Sequence, residues 1–207
     1  MKQGNLIWVL ALAGAAAACN SGPVVAGCTV DPVTGQCSTE GGECGPIINA
    51  CTNAADQAVY DGLVYISAPE GETHTGPDAA SAIGSDCIFG TLQFDPTSVP
   101  PLEGCGDEAL EVLGCAPNCP PEIVANAASC VTQCTQDATG VASPPGLSDE
   151  CISCTGTTVA CGSAFCAEFC IRDTNAPDCI ECRCNNNCIQ CFDLCTGPID
   201  DSPSECE

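Results

Sequence analysis

Cysteine pairs two residues apart are the first places in this chain where chemistry is conceivable. Cys151-x2-Cys154, Cys179-x2-Cys182 and Cys188-x2-Cys191 have the spacing at which two thiolates grip one zinc ion, and Cys184 stands close enough to Cys182 to join such a set. The same spacing serves dithiol exchange inside a βαβ unit, and haem attachment when a histidine follows. No strand–helix–strand pattern surrounds these pairs, and no histidine follows one. His74 is the only histidine, so a Ser/His or Cys/His nucleophilic pair would have to use it. It stands in Glu70-Gly71-Glu72-Thr73-His74-Thr75-Gly76, which reads as a solvated loop. No spacing singles out a carboxylate pair among the 27 acidic residues. Asp200-Asp201, Asp173 and Asp178 lack the alternating order of an EF-hand calcium loop. No catalytic residue, metal-ligand set or cofactor is assigned.

Which chemistry the thiols keep depends on the compartment, and residues 1–18 read as an export leader. Lys2 supplies the positive start, and Leu6 to Ala18 is an uncharged apolar run of 13 residues. That is short of the roughly 20 needed to span a membrane and fits a signal peptide ending in small residues. Ala16-Ala17-Ala18-Cys19 resembles a bacterial lipobox, with Ala16 where that motif prefers leucine; the resemblance implies a diacylglycerol on Cys19. Ordinary cleavage after Ala18 also satisfies the small-residue rule. The cysteine count favours the lipid, because 23 is odd and setting Cys19 aside leaves an even number to pair. Behind a leader the thiols are expected to oxidise, so the Cys-x2-Cys pairs read as disulfides. A secreted zinc- or copper-thiolate protein, with Cys182-x-Cys184 as a metallothionein-like step, is the alternative.

Composition narrows the partners. The formal net charge is −24, and once Lys2 leaves with the leader the basic residues are Arg172 and Arg183. Neutralising nucleic-acid phosphates takes several Lys and Arg, so nucleic acid is excluded, and an anionic lipid surface repels such a chain. The membrane is a partner through the lipid on Cys19; a protein partner or divalent cations suit the acidic surface. The acidity alone also serves solubility. With 23 Cys and only 5 Phe and 2 Tyr, crosslinks are expected to substitute for a large apolar core.

The elements that must position the cysteines follow from local signals. Residues 19–46 read as a lipid-anchored tether, with turn dipeptides Gly22-Pro23, Asp31-Pro32 and Gly41-Gly42 and a local Cys28–Cys37 disulfide. Residues 47–104 read as a mixed or irregular subdomain. Asn53 with Asp56 starts a helix to about Leu63, 66–80 is loop, and Leu63–Ile66 with Cys87–Phe94 suggests one short β-hairpin. From 105 to 207 the pattern is helical. Asp107–Cys115 is stopped by Pro117, and a second helix starts at Pro120-Pro121, carries Ile123, Ala127, Cys130, Val131 and Cys134 on one face, and ends at Gly140. Ser148 opens a further helix and Ser163 another, bearing Cys166 and Cys170. Asn175 with Asp178 starts one carrying Cys179 and Cys182, and Cys188, Cys191 and Cys195 share a face closed by Gly197. The fold class is mainly α, a small disulfide-rich bundle of short helices.

Two wider resemblances bear on this scaffold. Cys115-x3-Cys119 followed by Cys130-x3-Cys134 resembles the α-hairpinins, which implies pairing among these four, as 115–134 and 119–130; a bond from Cys119 elsewhere, to Cys105 or to the C-terminal cysteine cluster, is the alternative. The run from Cys130 to Gly197 resembles a family of cysteine-rich exported bacterial lipoproteins with no established activity. The residues concerned are Asp137-Ala138-Thr139-Gly140, Leu147-Ser148-x2-Cys151-x2-Cys154, Cys161, Cys166-x3-Cys170, Cys179-x2-Cys182, Cys188 and Phe192-x2-Cys195-Thr196-Gly197. The functional expectation is a non-enzymatic lipoprotein of the cell envelope, in the outer membrane or periplasm, with a structural or binding role. Without lipid on Cys19 it would be secreted.

Overall fold

The computed structural model describes residues 47, 49–67, 71–90, 104–171, 173–197 and 204–206, together with the backbone of 29–30, 37–39 and 42–44. That backbone forms three short antiparallel strands, β1 (Thr29–Val30), β2 (Cys37–Thr39) and β3 (Gly42–Cys44), in the order β1-β2-β3. Part of the stretch read as tether is therefore strand, and β3 lies against the last helix. Cys19 and the Cys28–Cys37 pairing lie outside the described side chains.

Asn53 caps α1 (Ala54–Gly62), its side-chain oxygen accepting from the N–H groups of Ala55 and Asp56 at 3.1 and 3.0 Å. A hairpin follows, but not the one composition suggests. Strand β4 (Val64–Ile66) pairs with β5 (Thr73–Thr75), and Cys87 to Phe89 instead end α2 (Gly76–Phe89). The expected 66–80 loop is thus partly strand and helix. Pro77 sits in the first turn of α2, where its missing N–H costs nothing. Ala79, Ala80, Ile83, Cys87 and Ile88 then bury one helical face, and this tertiary burial overrides the strand-like composition of the last turn.

The rest is helical: α3 (Gly106–Cys115), α4 (Pro121–Ala142), α5 (Asp149–Cys170), α6 (Pro177–Asn185) and α7 (Cys188–Thr196). Gly140 does not end α4, which continues to Ala142. Ser163 does not open a new helix either. It lies buried within α5, whose inward face continues through Ala160, Ala164 and Cys166 and keeps the helix whole. Gly197 ends α7 with φ 74°, a conformation that costs glycine little.

Helix α5 is the axis, touching α2, α3, α4, α6 and α7. One hydrophobic cluster runs from Cys51 to Ala164 and crosses the expected boundary near residue 104; a smaller one holds Cys166, Cys170 and Cys179. The largest fully buried side chains are Leu63, Ile83, Ile88 and Ile152, each stabilising by about 1.5–3 kcal/mol. Helices α4 and α5 approach closely at Gly156, where a β-carbon would lie 2.1 Å from Thr132 Oγ1 and 2.6 Å from the Ala128 carbonyl oxygen.

Candidate functional site

The cysteines that open the question of chemistry are oxidised. All 19 cysteines with described side chains are disulfide-bonded, Cys191 among them. Nine pairs are defined: 51–151, 87–134, 105–130, 115–119, 154–195, 161–188, 166–182, 170–179 and 184–206. No pair joins the two ends of one Cys-x2-Cys. Residues three apart on a helix share a face, and the first two of these pairs each reach out from it to two other points of the fold. Cys151 and Cys154 fix the start of α5 to Cys51 and to α7; Cys179 and Cys182 clamp α6 along the end of α5.

The α-hairpinin pairing is overturned. Cys115 bonds to Cys119, Cys130 to Cys105 and Cys134 to Cys87. Cys119 also does not reach Cys105 or the C-terminal cluster. The chain turns tightly at Pro117, bringing the Cys115 and Cys119 α-carbons within 4.8 Å, while α4 directs Cys130 and Cys134 onto α2 and the start of α3.

A polar junction supports the first staple. Asp56 is buried at 1% exposure, and its carboxylate accepts from the Ser148 N–H and hydroxyl and from the Asn53 amide. Ser148 in turn caps α5 through the Cys151 N–H. The Tyr60 hydroxyl lies 3.2 Å from Cys151 Sγ and donates towards Cys51 Sγ at 3.5 Å. Burial, and secondarily the Asp56 charge, raises the Tyr60 phenol well above the ordinary tyrosine value.

Other groups offer less than their types suggest. His74 is not simply solvated: its Nε2 lies 3.0 Å from the Ser67 hydroxyl across the β4–β5 hairpin. Among the described residues no hydrogen bond is made by its other nitrogen. Cys105, Glu108 and Cys130 bring possible metal-ligand atoms within 4.8 Å of one another, but the two sulfurs are joined to each other.

Arg183 is the group that sequence reasoning missed. It is the only Lys or Arg among the described residues, and it lies half-buried on α6 against Gly162 of α5. Its guanidinium donates to Thr158 Oγ1 at 3.3 Å, and Thr158 donates onward to the Cys188 carbonyl at 2.9 Å. Burial draws its pKa below the ordinary arginine value, while the charges of Glu205 and Asp193 oppose that shift. Its place between Cys182 and Cys184, both crosslinked, was the available signal that this side chain is held in position.

Comparison with protein-family models, curated proteins and solved structures finds no match to this chain. No helix among the described residues is long and apolar enough to cross a membrane. Disulfides in this number are compatible with an extracellular protein.

Proposed function

We propose that this chain is a cell-envelope lipoprotein in which a rigid, disulfide-stapled helical domain is held at the membrane by lipid on Cys19 and serves a structural or binding role. The oxidation of every cysteine with a described side chain carries this reading, because it fits export and engages those thiolates in crosslinks. The odd cysteine total, with Cys19 set aside, supports the lipid. Several acyl chains, at about 0.8 kcal/mol per buried CH₂, make attachment durable where one chain is marginal.

Replacing Cys19 with Ala tests it. The variant is expected to leave the membrane fraction while still losing its leader, since Ala16-x-Ala18 permits ordinary cleavage. A variant that stays membrane-bound with the leader removed refutes the lipid. Mass spectrometry of the native protein separates the rival reading: many free thiols with bound zinc or copper would make it a metal-thiolate protein.

A further inference from the structure

Helix α3 turns Ala109 and Val112 inwards and leaves its outer side uncovered, with Leu110 70% and Leu113 38% exposed. Among the leucines with described side chains, Leu63 and Leu147 are buried and Leu194 is half-buried, so the two exposed ones both stand on this helix. A chain that relies on crosslinks in place of large apolar side chains gains nothing for its own fold from leucines in water. Gly106 and Gly114 lie on the same outer side, and a β-carbon at either would meet nothing within 4 Å. Packing within the chain does not call for glycine there; what glycine offers is close approach of another backbone. The next strip around the helix is acidic. Asp107, Glu108 and Glu111 line an open groove of about 480 Å³ between α3 and α4, with Asn126, Ser129 and Cys130 on its other wall. The only described basic residue, Arg183, lies elsewhere, on α6 against α5. The Cys105–Cys130 disulfide holds the start of α3 to α4, and Cys115–Cys119 ties its end to the following turn, so the face is pre-formed.

We propose that this face of α3 docks a basic amphipathic helix of a partner protein. The partner's apolar side chains cover Leu110 and Leu113, and its Lys or Arg side chains reach the carboxylates of the groove. Apolar anchors one helical turn apart are the pattern by which one helix seats on another. Charge decides the occupant. A second copy would bring the same acidic strip and a net charge of −24 against this one, and an anionic lipid surface is repelled likewise. A bare divalent cation would answer the carboxylates and leave the leucines in water. The docking face does not depend on lipid at Cys19, so the two readings stand or fall separately.

The test is an NMR titration of the folded, oxidised protein with a synthetic amphipathic helix of leucine and lysine. The controls are the same peptide with glutamate for lysine, a scrambled leucine–lysine peptide without an apolar face, and calcium chloride. The amphipathic peptide is expected to shift the amides of α3 and the facing part of α4 saturably, and to bind more weakly as salt rises. Leu110→Ser combined with Leu113→Ser is expected to weaken binding about tenfold or more, through loss of the apolar contact. Both side chains are exposed, so this variant keeps its fold. Phe165→Ser, which alters an exposed apolar residue on α5, is expected to leave binding unchanged. Shifts spread over the whole acidic surface, equal binding of the scrambled or glutamate peptide, or full binding by the double leucine variant would overturn the assignment. So would the same shifts produced by calcium, or by raising the protein concentration alone.

Discussion

The Asp56 carboxylate on α1 accepts both the backbone N–H and the hydroxyl of Ser148, each at 2.7 Å, across 92 residues of chain. Ser148 is itself the cap of α5, so one buried acid orders the start of this 22-residue helix from outside it. The Cys51–Cys151 disulfide closes the same junction covalently.

Asp56→Ala is expected to destabilise the oxidised protein by about 1–3 kcal/mol, since it removes a buried acceptor that takes two hydrogen bonds from the half-buried Ser148. Chemical denaturation of the variant measures this. A change below about 0.5 kcal/mol, the range of an ordinary surface substitution, would show that the crosslink alone holds the junction.

Gly156→Ala is expected to cost about 1–3 kcal/mol or more, although alanine is the better helix former. Its methyl would meet Thr132 Oγ1 and the Ala128 carbonyl, so α4 and α5 must separate. A thermal melt that rises in the variant would mean the two helices are less closely seated than described.

Tyr60 ties stability to alkaline pH. Its pKa is raised on folding, so its contribution is complete below the unfolded tyrosine value of about 10 and is lost as pH climbs past it. Phenolate absorbance should show Tyr60 resisting ionisation until the fold yields. Tyr60→Phe should lessen the loss of unfolding free energy between about pH 9 and 11; an unchanged loss would place the alkaline sensitivity elsewhere.

Limited reduction should be ordered by burial. Cys115–Cys119 and Cys184–Cys206 join partly exposed residues, whereas Cys51 and Cys151 are both 0% exposed. Thiolate attack needs access, so stepwise reduction with alkylation should label the first two pairs well before 51–151. Full reduction should collapse the helical circular dichroism, because helices of 9 or 10 residues such as α3, α6 and α7 are marginal alone. Helicity that survives full reduction would show that packing suffices.

Helix starts were legible because their signals are local. Asn53, Ser148 and Pro121 each act within one turn of the helix they open. Ser163 misled because a capping residue type says nothing about whether the apolar face continues through it. Cys87 to Phe89 misled because β-like composition is a weak preference beside burial of a whole helical face. Connectivity was not legible at all: the Cys87–Cys134 bond spans 47 residues, and only the crossing of α2 and α4 brings its ends together. Arg183 escaped notice because a charge count treats it as residue left over from an acidic total, and its half-buried place against α5 depends on how α6 packs.

The N–H groups of Asn49, Ala50 and Cys51 donate to the carbonyls of Leu194, Cys195 and Thr196, so the chain enters the helical body at the same pole where α7 leaves it. A pull transmitted through residue 49 would load these three parallel bonds in shear, then pass through Cys51 Sγ to α5 by a covalent bond. Cys195, in the same short ladder, is bolted to α5 through Cys154. Under such a pull the load would enter at this one cross-linked corner and reach the α5 backbone without stretching the β4–β5 hairpin or α2.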